Sequence, residues 1–214
     1  PVINFPLVEF NIRLLVHYGI NDLIINTHYL PKHVQKCLGN GKKYSAHIQY
    51  IHEPEILGTA GTIKNISKLL GNEPLLVLNS DIIVDINIGS LLQYHQEKGS
   101  SATLVVKKHP QQKNFGTLGL NNKCQIRKFL DTKHPDDSKN SIITPIYEEY
   151  MFTGVQIIEP TVREYIPPDI FCTLGGYVYP KLLSHRESLH GFVYSGYWND
   201  LGHISNYFQT NMSF

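Results

Sequence analysis

The sequence has almost no excess of charge, few cysteines and no long apolar run, and each shortage removes a class of function. Nineteen Lys and Arg face eighteen Asp and Glu, a formal charge of +1. That balance gives no overall electrostatic case for nucleic acid or an anionic membrane. Cys37, Cys124 and Cys172 are odd in number and far apart, so neither a disulfide framework nor a local zinc motif is expected. The eleven histidines are scattered, without the H-E-x-x-H spacing of a metal site. No apolar stretch approaches the roughly 20 residues that span a bilayer, and no basic run followed by an apolar one reads as a signal peptide. A cytoplasmic protein is the expectation. No internal repeat and no Gly/Ser- or Pro-rich linker interrupts the 214 residues, so one domain is expected.

What is present is alternation of helix and strand. After Phe5-Pro6, the apolar residues Leu7, Phe10, Leu14 and Tyr18 recur at helical spacing, with Gly19 as the stop. Asp22 to Asn26 reads as a short buried parallel strand, Pro31 to Leu38 as a second helix, and Ala46 to Ile51 as a strand nearer the sheet margin. Gly61 to Leu70 reads as a helix, Leu75 to Asn79 as a strand, Ile88 to Glu97 as a helix and Ala102 to Lys107 as a strand. This order predicts an α/β fold with a doubly wound, mostly parallel sheet. Beyond residue 107 the pattern turns β-rich. Phe115 to Leu120 and Gln125 to Leu130 read as a hairpin joined at Asn121-Asn122, and Asp131 to Asn140 as a polar, exposed loop. Phe152 to Ile158 and Leu189 to Tyr194 are strands, 196 to 202 is a compact loop, and Ile204 to about Gln209 is a final helix.

The stretch from Ile51 to Ile83 carries the chemistry. A hydrophobic strand ending near Asp81 delivers a carboxylate to the carboxyl edge of a sheet, where open α/β folds bind ligands. Asp200 also follows an apolar strand, so the two carboxylates are expected to converge as a magnesium site, with waters and phosphate oxygens completing the shell. The competing readings are a helix cap for Asp200 and a solvated loop for Asp81. The turn Gly58 to Gly61, placed just before a helix, offers bare backbone to a flat or anionic ligand. Thr59 and Thr62 add hydroxyls, and with the helix N–H groups make a modest anion site. Glu53, held extended by Pro54, is either a base or ribose contact or a solvated loop residue. Lys133 either reaches a phosphate or is simply exposed, and Gly116 and Gly154 either admit a ligand or mark bends.

Five blocks in order resemble the sugar-1-phosphate nucleotidyltransferases, the mannose-1-phosphate guanylyltransferase-like and glucose-1-phosphate uridylyl- or thymidylyltransferase-like enzymes. They are L-G-T-A-G-T at 57 to 62, L-N-S-D at 78 to 81, F-G-T-L at 115 to 118, F-T-G-V at 152 to 155 and G-Y-W-N-D-L-G at 196 to 202. The resemblance implies the Rossmann-like fold of nucleotide-diphospho-sugar transferases with a β-rich sugar-binding insertion. It implies transfer from a nucleoside triphosphate, GTP or UTP favoured, to a sugar 1-phosphate, giving a nucleotide sugar and pyrophosphate with Mg2+. Carried over by block, Asp81 and Asp200 hold the metal. Glu53, favoured over Glu55 for the family's glutamate, and Leu57, Gly58, Thr59, Gly61, Thr62 and Ser80 lie on the nucleotide side. Gly116, Asp131, Thr153 and Gly154 lie on the sugar side, and the family's lysine is either replaced by Thr132 or displaced by one to Lys133, which is taken as the catalytic lysine. Three positions depart from the family pattern: Ser80 stands for a commoner glycine, Asp131 for a glutamate and Thr153 for an asparagine. The family's opening strand and G-x-G-T-R loop are not in the sequence, and the resemblance leads one to expect them ahead of Pro1. The alternatives are a non-catalytic nucleotide-sugar-binding homologue and cytidylyl transfer to an alcohol phosphate; a homo-oligomer is left open.

Overall fold

The computed structural model describes residues 1–108, 117–138 and 147–213. In chain order the helices are α1 (Leu7–His17), α2 (Pro31–Leu38), α3 (Gly58–Asn65), α4 (Ile88–Lys98), α5 (Pro135–Ser138), α6 (Tyr179–Ser184) and α7 (Ile204–Ser213). The strands are β1 (Asp22–Thr27), β2 (His47–His52), β3 (Leu75–Leu78), β4 (Ile82–Val84), β5 (Ala102–Lys107) and β6 (Thr117–Leu120). They continue as β7 (Ile126–Phe129), β8 (Thr132–Lys133), β9 (Glu148–Ile158), β10 (Leu189–Val193) and β11 (Trp198–Asp200). The chain divides into two compact units. The first takes Pro1–Ile56, Leu78–Gly89 and Gly196–Phe214; the second takes Leu57–Val77 and Ser90–Ser195.

In the first unit, Pro6 stands just ahead of α1, where a missing N–H costs nothing. Gly19, at φ +78°, takes the chain out of that helix in a conformation that favours glycine. The connection through α2 returns the chain so that β2 lies parallel to β1, from Asp22 opposite His47 to Thr27 opposite His52. Ile12, Leu23, Leu38, Tyr44, Ala46 and Ile48 form the core between helices and strands. Glu9 is buried on α1, accepting from Arg13 Nη2 at 2.6 Å and from the Tyr44 hydroxyl at 2.9 Å. Burial works against its charge, but those two donors outweigh it and hold the carboxyl below its ordinary range. The same unit carries a second ladder, β4 antiparallel to β11, with Ile82 opposite Asp200 and Val84 opposite Trp198.

The second unit corrects the expectation of a mostly parallel sheet. Its seven strands run in the order β10-β5-β9-β6-β7-β8, with β3 also paired to β9. Only β10 and β5 are parallel among the registers described; β5–β9, β6–β9, β6–β7 and β7–β8 are antiparallel. Strands joined by short turns have no room for the crossover that parallel pairing needs, and β6, β7 and β8 are joined that way. The sheet is mixed, with a β-rich second half as the sequence suggested. Leu104, Val106, Leu118, Ile126, Leu182 and Leu183 are buried in its core, each side chain contributing roughly 1.5–3 kcal/mol of transfer free energy. Tyr179 is fully buried, its hydroxyl donating to Gln156 Oε1. His95 is buried between Thr103 Oγ1 at 2.8 Å and Glu159 Oε1 at 3.0 Å.

Two further expectations change. The polar stretch from Asp131 is ordered through residue 138 as β8 and α5, because Arg127 grips Asp137 at 3.0 and 2.5 Å while the Tyr147 hydroxyl donates to the same carboxylate at 2.6 Å. The rest of that expected loop, 139–140, lies outside the described residues. The 196 to 202 segment contains β11 rather than being all loop. Among the described residues no helix is long and apolar enough to cross a membrane.

Candidate functional site

Asp81 lies in the tight turn between β3 and β4, and Asp200 ends β11, so the antiparallel ladder of β4 and β11 brings them together. The Leu201 N–H donates to the Asp81 carbonyl at 2.8 Å, joining the two segments by a backbone bond. The Gly202 N–H donates to Asp200 Oδ1 at 2.6 Å. A Cβ at Gly202 would stand 2.9 Å from Asp200 Oδ1 and 4.0 Å from Asp81 Oδ2. Both carboxylates therefore border the space above one glycine. The side chain of Asp200 accepts from Gly202 rather than serving the first turn of α7, in the manner of an Asx turn.

Two supports were not legible beforehand. Asn11, buried on α1, donates through its amide to the carbonyls of Asn79 at 3.1 Å and Ile82 at 3.3 Å, clamping the turn on both sides of Asp81. The sequence signal was an asparagine on the apolar stripe that contains Leu7 and Leu14. On the other side, Asn206 of α7 donates to the Asp200 carbonyl at 2.9 Å, and Asn199 donates to Thr210 Oγ1 at 2.5 Å.

The two carboxylates feel each other's charge. Burial raises the Asp81 carboxyl above its ordinary value and the neighbouring charge of Asp200 raises it further, against a hydrogen bond from its own backbone N–H. Oxygen donors of this kind suit a hard divalent ion. Among the described residues no group of three His, Cys, Asp or Glu could cage a metal. A pair of carboxylates that leaves the remaining positions to water and phosphate is the arrangement Mg2+ uses with nucleotide substrates.

The other residues singled out in the sequence fall into different surroundings. Glu53 is 3 % exposed, which removes the solvated-loop reading; its N–H donates to the Thr27 carbonyl, and its carbonyl lies 2.8 Å from His28 Nδ1. Ser80 is exposed in the turn beside Asp81.

The glycine turn differs from expectation in two respects. Gly58 to Gly61 is the first turn of α3 itself, and that helix ends at Asn65 rather than Leu70. The N–H groups of Ala60 and Gly61 both donate to the Cys172 carbonyl at 3.0 Å, so these donors are turned to the chain and not to an anion. Leu57 accepts from the Cys172 N–H at 2.8 Å. Gly58 has φ +73°, and a Cβ there would lie 2.6 Å from the Cys172 oxygen; one at Gly61 would lie 3.1 Å from the Ile170 oxygen. The bare backbone is required by the 170–172 segment. Thr62 donates its hydroxyl to the Gly58 carbonyl at 3.0 Å, and Thr59 Oγ1 accepts from the Leu174 N–H at 3.0 Å.

Thr153 is buried and donates its hydroxyl to the Val105 carbonyl at 2.9 Å, holding β9 to β5. Gly154 follows at φ +86° within β9. Asp131 is exposed in the turn before β8, and Lys133 is exposed on β8, opposite Lys128, rather than in a loop. Gly116 lies outside the described residues.

A family profile described as nucleotidyl transferase matches residues 1–214. This chain belongs to the nucleotidyl transferase family. Among relatives, it is 26 % identical over 223 residues to UTP–glucose-1-phosphate uridylyltransferase of Synechocystis sp., covering 98 % of this chain and 55 % of that protein. It is 29 % identical over 207 residues to mannose-1-phosphate guanyltransferase of Hypocrea jecorina, covering 93 % of this chain and 53 % of that one. The chain thus spans about half the length of the curated relatives it matches. The crystal structure of HddC from Yersinia pseudotuberculosis complexed with GMP-PN superposes with a TM-score of 0.78 at 17 % identity, covering all of this chain and 88 % of that one. That likeness establishes the Rossmann-like fold of the family.

Proposed function

We propose that this protein transfers a nucleotidyl group from a nucleoside triphosphate, GTP or UTP, to a sugar 1-phosphate, releasing pyrophosphate and a nucleotide sugar. The observation that carries the proposal is the meeting of Asp81 and Asp200 around Gly202. Family membership and the named uridylyl- and guanyltransferase relatives support the substrate class. In this reading Asp81 and Asp200 hold Mg2+, and Asn11 fixes the turn that presents Asp81. When bound, the ion supplies charge neutralisation on the phosphate oxygens. The protein's own contribution is orientation: the sugar phosphate oxygen is aligned with the α-phosphorus, and no covalent enzyme intermediate forms. Glu53 and Ser80 contact the nucleotide, and the 57–62 block does so through groups other than the Ala60 and Gly61 N–H, which serve the Cys172 carbonyl. The sugar contacts fall to Asp131, Gly154 and Gly116, with Lys133 toward phosphate.

The test is pyrophosphate release from a panel of triphosphates and sugar 1-phosphates, with Mg2+ and with chelator. Release with GTP or UTP that chelator abolishes is the expected result. Tight binding of nucleotide sugar without any release would instead identify a non-catalytic, regulatory homologue.

A further inference from the structure

The two-residue strand β8 is held in a way that its own pairing does not explain. It follows the tight turn 130–131 after β7, makes only the pairs Phe129–Thr132 and Lys128–Lys133, and stands at the end of the strand order. The second pair sets like charges opposite each other, which works against pairing; Lys128 is answered by Glu149 Oε1 at 3.2 Å. Leu130, in the turn, takes φ +51°, a conformation that non-glycine residues seldom adopt. A strand so short, entered through so tight a turn, needs an anchor at its far end.

That anchor begins at a β-bulge. Gly119 lies opposite Lys128 and Leu120 opposite Ile126, which leaves Arg127 as the extra residue of β7. The Arg127 carbonyl accepts from the His134 N–H at 2.8 Å, just beyond β8. Its guanidinium grips Asp137 of α5 with two bonds, and the Tyr147 hydroxyl closes on the same carboxylate. The Arg127 and Asp137 side chains are 18 % and 13 % exposed, so this bidentate contact fixes geometry away from most of the solvent. Arg127 also holds the Asp137 carboxyl below its ordinary range, which keeps the pair charged at neutral pH. The more exposed pair of Arg186 with Asp136 adds little.

We propose that Arg127, through Asp137 and Tyr147, is a positioning residue for the sugar 1-phosphate: it fixes the turn and strand that carry Asp131 and Lys133. The inference rests on the reading above, in which those two residues meet that substrate. Arg127 itself stays on Asp137 and acts only through where β8 lies.

Initial rates of pyrophosphate release by the full chain, with each substrate varied in turn, test it. Arg127→Lys keeps the charge and loses the two-pronged grip. It should raise KM for the sugar 1-phosphate roughly 10-fold or more, with KM for the triphosphate unchanged. Tyr147→Phe, a milder loss at the same carboxylate, should move that KM in the same direction, and a cooperative thermal melt shows that each variant is folded. Lys133→Ala or Asp131→Ala should raise the same KM, and Arg127→Lys added to whichever does so should have a smaller effect than it has alone. An unchanged KM in both clasp variants, a rise shared by the two substrates, or losses that simply multiply in the double variant would overturn the inference. If neither Lys133→Ala nor Asp131→Ala moves that KM, the sugar-side reading itself fails and the inference falls with it.

Discussion

Gly202 and the glycines of α3 stand in similar-looking motifs and do opposite work. Beside Gly202, two carboxylates border one space, and among the described residues neither pairs with a Lys, Arg or His. Beside Gly58 and Gly61, the N–H groups of Ala60 and Gly61 have gone to the Cys172 carbonyl, and the absent side chains make room for that contact. In the proposed reading, a small residue beside two carboxylates leaves room for an ion. A small residue next to satisfied backbone marks a packing requirement.

The largest expected effect follows from the first half of that contrast. Asp81→Asn or Asp200→Asn should lower pyrophosphate release by about 100- to 1,000-fold, with the thermal midpoint unchanged or slightly raised because a like-charge contact is removed. Loss of folding instead of loss of turnover would erase the distinction. Gly58→Ala should do the reverse. Its Cβ would meet the Cys172 oxygen at 2.6 Å with φ at +73°, and a cost of about 2–4 kcal/mol is expected in urea unfolding, with Mg2+ affinity of the folded fraction retained. Asn11→Ala sits between the two. It removes both hydrogen bonds to the Asp81 turn, so about 1–3 kcal/mol of stability and weaker Mg2+ binding by calorimetry should go together.

The smallest effect separates the two units by acid. His190 is buried against Ser100, and burial, with Lys98 and His95 nearby, lowers its pKa from 6.5. An unfolded histidine takes its proton first, so stability from this source is full above about pH 6.5 and declines as pH falls toward the lowered value. Glu9 acts later: its stabilisation is present above its unfolded value of 4.5 and is lost only as pH falls through the depressed one. Urea midpoints measured against pH should therefore flatten near 6 in His190→Gln, and only at more acidic pH in Glu9→Gln.

Local pattern was enough for α1, α2 and β5, where proline starts, glycine stops and the apolar run Leu104–Val106 mark the elements. It was not enough for β4 and β11, three residues each, which exist because they pair across the chain. Strand direction was misjudged for a related reason, since an apolar run reads alike in parallel and antiparallel ladders. The carboxylates at 81 and 200 could be picked out by residue type and position. Their support could not: the Asn11 clamp and the Cys172 contact with α3 are long-range, and a helix that begins on Gly58 gives no periodic signal at its start.

The bond from Leu201 to the Asp81 carbonyl joins segments from the middle and last thirds of the polypeptide. Closing so large a loop is entropically expensive, and such contacts tend to form late. A refolding chain would thus acquire most of its strands before its two acids become neighbours. Affinity for a divalent ion, followed during refolding, would report the last stage of assembly, when the chain's beginning, middle and end have come to rest on one another.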